Sequence, residues 1–92
     1  MLEAAIERKF VKAVRAAGGW AIKLTSIGMA GLPDRLVLFP QGKCSFVELK
    51  APGKKMRPLQ IKRAKELRGL GFSVYCIDRT EQILPTIKEI TA

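Results

Sequence analysis

Residues 33–50 run Pro33-Asp34-Arg35-Leu36-Val37-Leu38-Phe39-Pro40-Gln41-Gly42-Lys43-Cys44-Ser45-Phe46-Val47-Glu48-Leu49-Lys50 and read as two strands joined by a turn. Arg35 to Phe39 is a compact apolar run, Pro40 to Lys43 is turn chemistry, and Cys44 to Leu49 is the returning strand. Because the turn sits in the middle, the outer ends of both strands lie together. That brings Asp34 close to Glu48. Glu48 and Lys50 are two residues apart, so their side chains leave the same face of the strand. The carbonyl of Leu49, exposed at that edge, adds a further oxygen.

Working outward, the elements fall in the order α-β-β-β-α-β-α. Leu2, Ile6, Phe10, Val14 and Ala17 keep helical spacing, and Gly18-Gly19 ends the helix. Trp20 to Leu24 reads as a strand with Trp20, Ile22 and Leu24 on one face. Thr25 to Pro33 is a loop with two glycines and a closing proline. After a second loop, Ala51 to Met56, Pro58 suits the first turn of a helix through Leu70, closed by Gly71. Phe72 to Ile77 alternates as a strand. Thr80 to Ile90 is a terminal helix that Pro85 interrupts or kinks. The expected class is α/β, a mixed central sheet flanked by helices.

Bulk properties narrow the chemistry. Ninety-two residues bound one domain, with 48% hydrophobic and 27% charged residues. No apolar run approaches bilayer length, and the charged N-terminal segment reads as an amphipathic helix and not a signal peptide, so a cytoplasmic protein is expected. Cys44 and Cys76 lack metal-site spacing and are expected as buried free thiols, with a single disulfide between them as the alternative. With no histidine, His-ligated zinc and His-based triads are excluded. Any metal must take oxygen ligands, which favours magnesium, manganese or calcium. Seventeen Lys and Arg against eight Asp and Glu give a formal +9, a field that attracts nucleic acid.

Phosphodiester hydrolysis requires carboxylates to hold a divalent cation that neutralises phosphate charge, with a lysine to orient water or stabilise the transition state. Asp34, Glu48 and Lys50, with the Leu49 carbonyl, supply that set. A Pro-Asp pair followed by Glu-x-Lys is alone a common chance pattern, and Glu48 with Lys50 can equally be a surface ion pair. Position favours the site: both charges lie at strand ends beside glycine-containing loops in a strongly basic chain. Lys54, Lys55, Arg57, Lys62, Arg63, Lys65 and Arg68 are candidate phosphate contacts. Trp20, Phe10, Phe39 and Phe46 read as packing residues.

These residues resemble the VRR-NUC domain, a branch of the PD-(D/E)xK, restriction-endonuclease-like nucleases. The matching pieces are Glu7, the Gly18-Gly19 pair, Gly31-Leu32-Pro33-Asp34, Phe46 through Gly53, Pro58-Leu59-Gln60, and Gly71 through Tyr75. The resemblance implies that Asp34 and Glu48 ligate Mg2+ or Mn2+ and that Lys50 acts with the attacking water. It also implies supporting roles for Gln60 and a carboxylate of the first helix. Glu3 and Glu7 share a helical face, and the family's spacing favours Glu7, whose alternative is an ordinary pairing with Lys or Arg. Standalone members resemble small viral and bacterial homodimeric enzymes that cut branched DNA, especially four-way (Holliday) junctions. The competing expectations are a nuclease of the same chemistry with broad duplex or nicking specificity, and a catalytically silent DNA-binding module.

Overall fold

A computed structural model describes residues 2–25 and 28–92. Ser26 and Ile27, within the loop expected over Thr25 to Pro33, lie outside the described residues. Helix α1 (Glu3–Ala16) is followed by strands β1 (Trp20–Lys23), β2 (Arg35–Phe39) and β3 (Lys43–Leu49). Helix α2 (Pro58–Gly69), strand β4 (Val74–Ile77) and helix α3 (Ile83–Thr91) complete the expected order. Gly18 takes a φ of +82°, and the Gly18 and Gly19 amides donate to the Arg15 and Val14 carbonyls, closing α1 where the sequence placed its stop.

The sheet order is β1-β2-β3-β4. The first three strands are antiparallel, and β4 runs parallel to β3 because α2 carries the chain back across the sheet. Registers Arg35↔Val47, Val37↔Ser45 and Leu49↔Ile77 put these residues on one face, against Ile6, Phe10 and Val14 of α1 and Ile83, Ile87 and Ile90 of α3. Burying a large aliphatic or aromatic side chain contributes about 1.5–3 kcal/mol, so this face anchors the fold. Alternation sends Glu48 to the other face, where α2 lies against β4.

Four expectations are corrected. Trp20 is 70% exposed, not packed: β1 is an edge strand, and the face bearing Trp20 and Ile22 projects beyond the cover of α2. Cys76 is exposed and Cys44 half-buried, both free. Pro85 neither interrupts nor kinks the terminal helix, because α3 begins at Ile83 and Pro85 sits in its first turn, where backbone amides have no intrahelical partner. Phe72 precedes β4, its amide closing α2 by donating to the Leu67 carbonyl, while its ring meets Phe46 edge-on at 5.7 Å.

Candidate active site

The loop before Asp34 is fixed from both sides. Gly31 has a φ of +85°, and a Cβ there would stand 2.7 Å from Cγ of Leu59, so only glycine lets the loop approach the first turn of α2. Arg63 Nε donates to the Ala30 carbonyl at 2.9 Å, and the Leu24 amide donates to the Asp34 carbonyl at 2.8 Å. Asp34 is thereby held between the ends of β1 and β3.

At the open end of the β2–β3 hairpin, the two acids bind each other's backbone. The Asp34 amide donates to Glu48 Oε1 at 3.1 Å, and the Leu49 amide donates to Asp34 Oδ2 at 3.0 Å. Glu48 Oε2 accepts from Gln60 Nε2 at 2.9 Å and pairs with Lys50 Nζ at 3.0 Å. Gln60 is itself oriented, since its Oε1 accepts the Arg57 amide at 2.8 Å as part of the α2 cap. The hairpin reading therefore brings Asp34, Glu48, Leu49 and Lys50 together, and α2 adds Gln60.

Glu48 is 1% exposed and Lys50 8%. Burial pushes the Glu48 carboxyl above the usual carboxylate range; its hydrogen bond to Lys50 opposes this, and the neighbouring Asp34 charge adds to it. Two hard carboxylates repelling each other at a strand end, beside the terminal Leu49 carbonyl, form a donor set suited to a divalent cation. Among the described residues, no cluster of three or more Asp, Glu, Cys or His side chains forms a ready metal-holding group.

Glu7 lies elsewhere. Its carboxylate accepts from Arg35 Nε at 3.1 Å and pairs with the same guanidinium through Nη2, also at 3.1 Å. Arg35 further donates to the Ala21 carbonyl at 3.0 Å. This group is on the α1 face of the sheet, one residue along the chain from Asp34 but on the side away from Glu48. Glu3 is exposed.

Of the expected phosphate contacts, Lys54, Lys55, Arg57, Lys62 and Lys65 are exposed. Arg63 is engaged with Ala30 and Glu66, and Arg68 donates to the Val74 carbonyl. Those two serve the fold as well as the charge.

No family model matches the chain. It is 45% identical over 87 residues to a protein of Acyrthosiphon pisum secondary endosymbiont phage 1 named "Putative nuclease p44", covering 92% of this chain and 94% of the relative. A solved structure described as "VRR_NUC domain" superposes with a TM-score of 0.86 at 30% identity, covering 94% of each chain. The chain belongs to the VRR-NUC nuclease family. Its sheet and helices are thus the restriction-endonuclease-like arrangement. In this VRR-NUC chain, sequence reasoning missed Arg35 as the partner of Glu7. A charged residue opening an otherwise apolar strand, next to Asp34, was the available signal. Cys76 was also missed beside the site; it is the register partner of Glu48, and partial desolvation against the sheet together with the Glu48 charge raises its thiol above the usual range, although the residue remains exposed.

Proposed function

We propose that this nuclease is a Mg2+- or Mn2+-dependent DNA endonuclease that cuts branched DNA, with four-way junctions as its preferred substrate, and acts as a homodimer. The observation that carries the reading is buried Glu48 beside half-buried Asp34, with Lys50 3.0 Å from Glu48, in a chain of net charge +9. Asp34, Glu48 and the Leu49 carbonyl would hold the cation, which supplies charge neutralisation at the phosphate and acidifies water.

The remaining work belongs to the chain. The Asp34 amide and Gln60 fix the Glu48 carboxylate before any ligand arrives, which reduces the ordering cost of binding. The Lys50 ammonium carries donors beyond the one given to Glu48, so it can orient the attacking water and offset charge developing on the phosphate. Lys54, Lys55, Arg57, Lys62 and Arg63 would hold the flanking phosphates, and the product would carry a 5′-phosphate. Glu7 acts in this reading through Arg35; direct ligation requires that ion pair to open. A two-fold dimer would present paired sites suited to symmetric cuts across a junction.

Matched four-way junction, flap and linear duplex substrates with Mg2+ or Mn2+ test this, beside Asp34→Asn and Lys50→Ala. Junction cleavage that needs the cation and is lost in both variants is expected. Equal cutting of linear duplex would leave a broad nuclease. DNA binding without cleavage by the native protein would favour a silent module, and a monomer in light scattering would remove the dimer.

A further inference from the structure

On the side of the sheet away from Glu48, the outer surface of α1 beside Arg35 of β2 is unused by the chemistry above. Arg8, Lys12, Arg15 and Arg35 line an open trough of about 600 Å³. It continues around the β1 edge into a second depression that shares Arg15 and Arg35 and is bordered by Trp20 and Ile22, which stand on the Glu48 face of the sheet. The one acid in its wall, Glu7, is already paired with Arg35. Lys23, the register partner of Arg35, adds a further cation at the same end.

We infer that this trough is a track for an unpaired DNA strand, with Trp20 stacking on a base and Arg8, Lys12 and Arg15 holding successive phosphates. The inference rests on the DNA-nuclease reading and extends it to the form of DNA taken beside the cut. Arg8, Lys12 and Arg15 fall at i, i+4 and i+7, a stripe about 10 Å long at ~1.5 Å per residue. That spans about three nucleotides at the ~3.4 Å axial rise of a stacked strand, and fewer of an extended one. Trp20 is 70% exposed at the trough's edge, and an indole face receives a base only where the base is unpaired. The track ends at Arg35, at the same end of the sheet as Asp34 but on the opposite face from Glu48, so a strand lying in it reaches the catalytic end of the hairpin only by passing over the sheet edge. A second copy of this chain is the poorer occupant, since a two-fold contact through the patch would set the same cations against each other.

Trp20 is the sole tryptophan, so its emission reports this site directly. Titrating the native protein with a twelve-residue oligothymidylate in EDTA should quench that emission. Arg8→Ala/Lys12→Ala/Arg15→Ala should weaken oligothymidylate binding at least tenfold and lower its salt slope by about two, at ~0.7 per contact. Trp20→Ala should weaken it at least about fivefold and Trp20→Phe much less, as stacking predicts. Blunt duplex binding should change less than twofold in all three variants.

Bound oligothymidylate without quenching overturns the track. So does equal loss of single-strand and duplex binding, or a dimer that Trp20→Ala turns into a monomer. Because no cation is present, quenching is expected even of a protein that cuts nothing, and an active nuclease without quenching loses only this inference.

Discussion

Lys50→Met keeps most of the side chain's length and removes one charge from a pair in which Glu48 is 1% exposed and Lys50 8%. Deleting one member of a buried ion pair costs about 3–5 kcal/mol, because the survivor stays buried without its counter-charge. The loss here should fall near 3 kcal/mol, at the lower end of that range, since Glu48 keeps the Asp34 amide and Gln60 Nε2 as donors. Domains of this size hold about 5–15 kcal/mol in total. At ~4–8 °C per kcal/mol, the melting temperature should drop by about 12–24 °C.

Urea and thermal unfolding followed by circular dichroism in EDTA measure this. Glu48→Gln in the same background should recover about 1–3 kcal/mol relative to additive losses, because the stranded charge is gone. Magnesium should raise the melting temperature of Lys50→Met more than that of the parent, as a cation takes over the missing charge. A Lys50→Met protein within about 0.5 kcal/mol of the parent, or strictly additive losses, would refute the reasoning.

Gly31→Ala should lose about 2–4 kcal/mol in urea unfolding, from a positive φ and a Cβ 2.7 Å from Leu59. Leu59→Ala in that background should relieve only the steric part. Glu7→Gln should cost about 1 kcal/mol of stability and weaken magnesium binding by calorimetry less than about threefold; a tenfold loss or more would mark Glu7 as part of the metal shell. Tyr75 is the sole tyrosine, and burial together with the Glu89 carboxylate raises its phenol above 10.0. The folded phenol thus keeps its proton where the unfolded one has lost it, so stability should decline as pH rises past about 10. Phenolate absorbance measured beside unfolding checks both statements.

Asp34, Glu48 and Lys50 were legible because a hairpin constrains distance: a turn at its middle fixes which residues meet at its ends. Gln60 was legible only through the family pattern, since nothing local says which side of α2 meets the sheet. The same limit hid the Glu7–Arg35 pair, which depends on how α1 docks. Trp20 was misread because alternation assigns residues to a face without saying whether another layer covers it. Pro85 was misread because proline is tolerated in a first turn and disruptive in an interior one, so an error of a few residues in the helix start reversed its meaning.

The crossed bonds between Asp34 and the β3 terminus bear on how such an enzyme could drift out of use. The acids that would grip a cation also fasten the open end of the central hairpin, so decay of catalysis loosens the scaffold as well. A lineage abandoning the reaction must find a new fastening or keep the old acids for their structural service. Intact acids in a relative are therefore weaker testimony to living catalysis than the lysine beside them.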